Sequence, residues 1–156
     1  MEADGRQRRR PTRRGGAMRG TVELGREECA RRLGLRSHAR IAVTTPSGPH
    51  QIPVTHLLDG SALTFATTPY SVLGTYGRDA MVALEVDDID EETRSGWSVV
   101  VRGRAHPVTD TAAIARVRSL GLEPWAGGNR PLHLQLLLDE CELSGRVVGD
   151  DPGAAH

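Results

Sequence analysis

Lysine is absent from this 156-residue sequence, and all 20 of its basic side chains are arginines. Without an ε-amino group the chain cannot form a lysine Schiff base, which excludes the usual covalent attachment of pyridoxal phosphate. Aromatic residues are also scarce, at 3% of the chain, so the core must be built from Val, Leu, Ile and Ala. A chain of this length forms one domain that buries roughly 70% of its unfolded surface.

Cysteines and long apolar runs are equally few. Cys29 and Cys141 lie far apart and lack metal-ligand spacing, which fits buried thiols in a reducing compartment better than a disulfide scaffold. No apolar run approaches the ~20 residues of a membrane span, and no signal-peptide core is present. These absences predict a cytoplasmic protein with no membrane partner.

Charge of one sign is concentrated at the amino terminus. Residues 1–20 hold seven arginines against Glu2 and Asp4, a net charge of +5 that the remaining chain balances. No aromatic residue interleaves with these arginines, so nucleic-acid binding is an unlikely use of the segment. We predict a disordered arginine-rich tail at 1–20, a folded domain at 21–148 and a second disordered tail at 149–156.

Helix and strand signals alternate through the folded region. The segment 24–35 is typical of a helix, because it places Glu27 and Glu28 in the first turn and Arg31 and Arg32 in the last. Asp110 is a suitable N-cap for a helix over 111–120, and 69–76 forms a turn or short helix. Seven strands separated by turn residues are predicted at 39–45, 50–58, 62–67, 81–86, 97–106, 132–138 and 142–148.

The strand at 97–106 has the clearest alternation. Its apolar face carries Trp97, Val99, Val101, Gly103 and Ala105, whereas the intervening residues are mainly polar. Short strands of this kind with peripheral helices predict an α+β, mainly β fold: a six- to seven-stranded antiparallel barrel with two or three helices.

Signatures of common chemistry are missing. The chain has no phosphate-binding loop with lysine, no dinucleotide fingerprint and no zinc spacing. The acidic run at 87–92 lacks the glycine and spacing of a calcium loop, so we interpret it as a solvated connection between strands. His56 shares a strand face with apolar residues, which favours a core or interface position over a ligand. Trp97 and Trp125 are either packing residues or stacking platforms.

Several segments, in order, resemble the pyridoxamine-phosphate-oxidase-like family in its actinobacterial branch. They cover the folded region, and the fourth is the most specific: ARIAVTT (39–45), GPHQIPVTHLLDG (48–60), LTFATTPYSVL (63–73), LEVDDIDEETRSGWSVVVRGRAHPVTD (84–110), LGLEPWAGG (120–128) and SGRVVG (144–149). The resemblance implies a split β-barrel and a homodimer that holds flavin mononucleotide (FMN) in a groove between its subunits.

The resemblance also implies a set of cofactor-binding residues. The backbone of Val54, Thr55 and His56 would pass the flavin ring. The ribityl chain and phosphate would lie against the next strand and turn, at Phe65, Ala66, Thr67, Ser71 and Val72. Trp125 would approach from the partner subunit, and Trp97 is a further candidate for stacking. No catalytic side chain and no metal ligand is implied.

Two positions depart from the family pattern. An arginine is usual where this chain has Ala66, and a lysine or arginine where it has Val72; both neutralise the flavin phosphate. Each charge-assisted contact stabilises binding by roughly 1.5–3 kcal/mol, so their loss weakens binding by about two to four decades. Arg78 is a candidate replacement. Thr55 and His56 also replace the usual asparagine and tyrosine beside the ring.

The sequence therefore supports two functional hypotheses. The first is an FMN-dependent oxidoreductase that acts on a small-molecule substrate, in which the cofactor carries the electron chemistry. A true pyridoxamine phosphate oxidase is excluded from this hypothesis, because no set of basic residues for the substrate phosphate is identifiable. The alternative is a non-catalytic split barrel that binds a flavin, a deazaflavin or haem, with His56 as the axial ligand for haem.

Overall fold

The computed structural model describes residues 20–122 and 131–154. These ranges contain three α-helices: α1 (Arg26–Leu33), α2 (Val72–Tyr76) and α3 (Thr111–Ser119). They also contain nine strands: β1 (Thr21–Glu23), β2 (His38–Thr45), β3 (Gly48–Asp59), β4 (Ala62–Thr67), β5 (Met81–Asp90), β6 (Ser95–Arg104), β7 (His106–Pro107), β8 (Leu132–Leu137) and β9 (Glu142–Val148).

All strand pairs are antiparallel, in the order β1-β9-β6-β5-β2-β3-β4-β8-β7. The long strand β3 joins two halves of this arrangement. Its residues Gly48–Thr55 pair with β2, whereas His56–Asp59 pair with β4. The strand therefore changes its neighbour between Thr55 and His56, and this change separates the two halves.

The core lies between the inward faces of the strands and is aliphatic, as the shortage of aromatics predicts. Along β6 the alternation is confirmed: Trp97, Val99 and Val101 are buried, whereas Arg102 and Arg104 are exposed. The other strands contribute buried residues at the same spacing of two, which are Ile41, Val43, Leu63, Phe65, Val82, Leu84, Val86, Leu134 and Leu136.

Helix ends match the sequence signals. Glu27 and Glu28 occupy the first turn of α1, and Gly34 is its C-cap. The helix is shorter than the predicted 24–35, because Leu24 already donates its backbone N–H to the carbonyl of Gly145 beside the sheet. At α3, the carboxylate of Asp110 accepts the backbone N–H of Ala113, as an N-cap does.

The acidic run was expected to be a loop, and this expectation is wrong for its first four residues. β5 continues to Asp90, and Asp87 and Asp88 pair with Ser98 and Trp97 of β6. Their carboxylates are compensated across the sheet surface, since Arg40 pairs with Asp87 and Arg36 with Asp88. Strand pairing and these cations outweigh the low strand propensity of aspartate.

Nine strands replace the predicted six to seven. The two additions are β1 and β7, which have three and two residues and form only at the sheet edges, against β9 and β8. Strands this short carry no periodic signal. Their existence depends on partners that lie far away in the sequence.

The carboxyl-terminal segment differs from the predicted disordered tail. The structure describes this segment up to Ala154, and the carboxylate of Asp151 pairs with the buried Arg32. Residues 155–156 and most of the predicted tail at 1–20 lie outside the described residues. The proposed domain limits of 21–148 stay a prediction.

Candidate functional site

The gap where β3 and β4 diverge brings together most of the predicted cofactor residues. We name this gap the fork. Pairing of the two strands ends at His56 and Phe65, yet β3 runs back to Gly48 along β2 and β4 runs on to Thr67 along β8. Val54 and Thr55 therefore line one side of the fork, and Ala66 and Thr67 line the other.

Strand alternation directs specific backbone groups into the fork. The N–H of His56 donates to the carbonyl of Ser37 at 2.9 Å, towards the β2 side. In an antiparallel ladder successive residues direct their N–H and C=O to opposite edges, so those of Thr55 face the β4 side. By the same alternation, the backbone groups of Ala66 face β3. A planar ligand in the fork meets donors and acceptors from both strands.

The side chains of His56 and Phe65 do not enter the fork. Both point into the core, with 4% and 0% exposure. The Nε2–H of His56 donates to the carbonyl of Leu33 at 2.8 Å, which leaves Nδ1 buried without a partner. Burial lowers the pKa of His56 below its usual 6.5. Thr55 and Ala66, one position along, point to the opposite face.

The hydroxyl groups of Thr67 and Ser71 are close but already engaged. Ser71 is the N-cap of α2: its oxygen accepts the N–H of Gly74 at 2.9 Å, and its hydroxyl donates to the carbonyl of Thr68 at 2.8 Å. The hydroxyl of Thr67 lies 2.8 Å from Ser71 Oγ and must be the donor in that pair. Both hydroxyl protons therefore hold the turn that begins α2.

Neither Ala66 nor Val72 supplies a positive charge at the fork, as the sequence indicates. Val72 is the first residue of α2 and is 38% exposed. Arg78, the candidate replacement, is exposed and follows Gly77, the C-cap of α2. A whole helix therefore separates it from Ser71, the N-cap at the fork.

A histidine that the sequence did not single out lies directly beside the fork. His133 of β8 pairs in register with Ala66 of β4. It is 2% exposed, and neither ring nitrogen has a hydrogen-bond partner among the described residues. Burial and the positive charge of Arg118 lower its pKa below 6.5. The signal was weak: His133 alternates with Leu134 and Leu136, but its place opposite Ala66 depends on the register of β8.

Trp97 is not brought to the fork. Trp97 lies on β6, which β5 and β2 separate from β3. Its ring is 1% exposed in the core, with the guanidinium of Arg32 5.5 Å from the ring centroid. Its indole nitrogen has no hydrogen-bond partner. Trp125 lies outside the described residues.

A cavity of about 480 Å³ opens on the outer surface beside β3, near Thr55. It is lined by Arg36, Ser37, His38, Ala39, Arg40, Pro53, Glu85 and Asp87. Burial and the neighbouring carboxylate of Asp87 raise the pKa of Glu85, while Arg40 opposes the shift. The cavity has the size of a small-molecule site and carries both signs of charge.

The part of the chain that the structure covers contains no cluster of three or more metal-ligating side chains. Among these same residues, no helix is long and apolar enough to cross a membrane.

The antiparallel strands, the partner change in β3 and the fork define a split β-barrel. The chain belongs to the pyridoxamine 5'-phosphate oxidase family, whose pattern matches residues 25–146. It is 42% identical over 138 residues to the uncharacterized protein Rv0080 of Mycobacterium tuberculosis, covering 85% of this chain and 89% of that protein.

Solved structures confirm the split-barrel fold. The FAD binding protein from Mycobacterium smegmatis superposes with a TM-score of 0.71 at 28% identity, covering 83% of this chain and 99% of that one. The FAD and heme binding protein from the same organism has a TM-score of 0.66 at 16% identity, covering 85% of this chain and 76% of that one. The second likeness, at this identity, concerns the fold alone.

Proposed function

We propose that this protein is a flavin-dependent oxidoreductase that holds FMN at the fork. The observation that carries the proposal is the divergence of β3 and β4: Thr55 and Ala66 do not pair with each other, so the backbone groups that they direct to this side face the gap. In a member of this family, such a gap suits a planar ring whose edge needs hydrogen bonds. The flavin, when bound, supplies the electron-transfer chemistry.

The chain's own part is to position the ring and keep water away. Thr55 offers one backbone donor and one acceptor to the ring edge. Phe65 and His56 are locked in the core on the far side of the same strands, which makes the fork rigid. The hydroxyl protons of Thr67 and Ser71 are engaged within their own turn, so neither hydroxyl is free to donate to a substrate.

The choice among flavins has one indication from relatives. The similar M. smegmatis protein is named an FAD binding protein, so FAD is the first competitor of FMN. FMN and FAD share the ring and the 5'-phosphate, so the backbone groups at the fork would face the same ring in either flavin.

A non-catalytic binding protein is the second candidate function. Ala66 and Val72 lack the charges that hold a flavin phosphate, which favours weak or altered binding of a flavin or deazaflavin. Haem at His56 is disfavoured by the structure, because its Nε2–H is bonded to the carbonyl of Leu33 and its ring points into the core.

The substrate of the proposed reaction is a small polar molecule. The cavity beside β3 lies on the same outer face as Thr55 and carries arginines and carboxylates within about 480 Å³. A substrate with both hydrogen-bonding and ionic groups fits this lining. Its reacting atom would approach the flavin ring from the β2 side of the fork.

We further propose a cytoplasmic homodimer. Four large apolar or aromatic side chains are exposed between β4 and the start of β5, next to the fork: Tyr70 at 97%, Val72 at 38%, Tyr76 at 40% and Met81 at 60%. A second copy covering this patch would close the fork from outside. The two free, buried thiols, Cys29 and Cys141, support a reducing compartment.

The proposal is tested on the purified chain by absorbance and flavin-fluorescence titration with FMN, FAD and a deazaflavin. We expect saturable binding of FMN, and anaerobic reduction of the bound flavin followed by reoxidation with an electron acceptor. Saturable binding without turnover of any acceptor would favour the binding-protein alternative. A protein that binds none of the three ligands would contradict both.

A further inference from the structure

We propose that His133, with Arg118 beside it, binds the 5'-phosphate of the flavin. This inference rests on the proposed function, since it concerns the phosphate of a flavin held at the fork. It assigns to β8 and α3 the phosphate contacts that the side chains of Ala66 and Val72 cannot make.

The hydrogen-bonding state of His133 is the first observation. A neutral imidazole carries one N–H donor and one acceptor, and here both are buried without a partner. Buried polar groups in folded proteins are nearly always paired, and an exception points to a missing ligand or water. His133 sits on the outer face of the sheet, opposite the core residues Leu134 and Leu136.

Local charge is the second observation. Besides burial, the positive charge of Arg118 lowers the pKa of His133, so the guanidinium lies within electrostatic range of the ring. Arg118 forms no ion pair with another described residue, whereas Arg116, two residues earlier in α3 and on a different side of the helix, is paired with Asp59 at 2.7 Å. The imidazole is buried and the guanidinium of Arg118 is exposed, so a phosphate that accepts hydrogen bonds from both would bridge the sheet and the surface.

The position of the pair is the third observation. His133 is the cross-strand neighbour of Ala66, and such neighbours have Cβ atoms about 4.5–5.5 Å apart. The side chain of Ala66 is a single methyl group, so it leaves room for a ligand beside His133 on this face of the sheet. Because the hydroxyl protons of Thr67 and Ser71 are engaged within their own turn, the donors for a phosphate at this end of the fork come from β8 and α3.

Admission of the phosphate requires a small rearrangement. His133 is 2% exposed, so a ligand reaches it only if the residues that cover its ring move aside. Once bound, the phosphate accepts hydrogen bonds from the imidazole and the guanidinium and is shielded from water. Shielding strengthens both contacts relative to the same contacts at an open surface.

The test compares FMN with riboflavin, which has the same ring and lacks the phosphate. We expect the native chain to bind FMN at least tenfold more tightly than riboflavin. His133→Phe and Arg118→Gln should each reduce this preference about tenfold, the size of one charge-assisted contact, without changing riboflavin affinity. Arg116→Gln is the matched control, because it removes the same charge from the same helix and should leave the preference within about twofold.

A gain-of-function variant keeps the test decisive if His133→Phe perturbs folding. Ala66→Arg in the His133→Phe background places a guanidinium at the cross-strand position and should restore the preference for FMN. Unchanged riboflavin affinity in every variant would show that the fork itself is intact.

Three outcomes would overturn the inference. Equal affinity of the native chain for FMN and riboflavin, or an unaltered preference in His133→Phe, would remove the phosphate role but leave the flavin function standing. A Soret band on adding haemin that is lost in His133→Phe would make His133 a haem ligand instead. Failure to bind either flavin would defeat the proposed function, and the inference with it.

Discussion

At the scale of single residues, Arg32 is the most constrained charge in the described chain. It is 2% exposed, and its guanidinium forms two hydrogen bonds with the carboxylate of Asp151, at 2.6 and 2.5 Å. Glu28 accepts a third at 2.8 Å, and the ring of Trp97 lies beneath. A buried cation with these partners ties the carboxyl-terminal segment to α1.

Removing one of the partners of Arg32 should lower the free energy of unfolding. Asp151→Asn leaves Arg32 buried with Glu28 as its remaining carboxylate, so we expect a loss of about 2 kcal/mol in the free energy of unfolding. Urea denaturation measures it. Glu142→Gln, which breaks the exposed pair with Arg102, is the control and should change stability by less than about 1 kcal/mol. Equal effects of the two changes would contradict this account of Arg32.

The buried histidines predict how stability changes with pH. The pKa of His56 is below 6.5 in the folded chain, so between the folded and unfolded pKa values the unfolded state binds more protons. Stability is therefore full above the unfolded pKa and falls as pH decreases below it, by up to about 1.4 kcal/mol per pH unit for each such group.

His56→Gln tests this dependence, because glutamine retains an N–H donor for the carbonyl of Leu33 but does not titrate. Urea titrations between about pH 7 and about pH 5 should give a shallower loss of stability for the variant than for the native chain. Parallel curves would show that folding does not lower the pKa of His56.

At the scale of elements, the alternation of apolar residues predicted most strands and their faces. Trp97, Val99 and Val101 lie inward because a strand with period two has only two ways to face the core, and one of them is polar. The same reasoning failed for Asp87–Asp90, whose strand state depends on pairing with β6 and on Arg36 and Arg40. Because those partners are distant in sequence, the residues next to Asp87–Asp90 do not indicate that the segment forms a strand.

The β5–β6 hairpin contains a glycine that a side chain cannot replace. Gly96 has φ +153°, and a Cβ there would lie 2.2 Å from the carbonyl oxygen of Asp88. We expect Gly96→Ala to reduce stability by about 3 kcal/mol, through backbone strain and displacement of the paired strand.

Gly60 provides the matched control for this change. Its φ is +60°, and no atom lies within 4 Å of an added Cβ. Gly60→Ala therefore adds conformational strain without a clash and should reduce stability by about 1 kcal/mol. Thermal unfolding of both variants gives the comparison, and similar losses would mean that the close approach at Gly96 relaxes without penalty.

The candidate site was predictable only in part. The resemblance placed Thr55, Ala66 and Thr67 near a flavin, and the structure brings them to one gap. It did not indicate that the side chain of His56 points into the core, where its ring donates to the carbonyl of Leu33 in α1. His133 was missed because its position opposite Ala66 depends on the register between β4 and β8, strands separated by more than 60 residues.

At the scale of the whole molecule, the exposed aromatic patch beside the fork predicts self-association. Replacing both Tyr70 and Tyr76 with serine should convert a dimer to a monomer in light scattering and weaken FMN binding, because the fork loses its outer cover. Tyr70 is 97% exposed in the single chain, so Tyr70→Ser alone should weaken the dimer without changing monomer stability. A native chain that is monomeric at all concentrations would contradict the homodimer.

The central claim is that a flavin binds in the fork between β3 and β4, and hydrogen exchange of the native chain with and without FMN tests it most directly. We predict that FMN slows amide exchange in peptides covering 52–57 and 65–72, where the backbone of Thr55 and Ala66 becomes hydrogen-bonded. Exchange around Trp97 should stay unchanged. Protection confined to the β6–β9 region, or no protection at saturating FMN, would contradict the account.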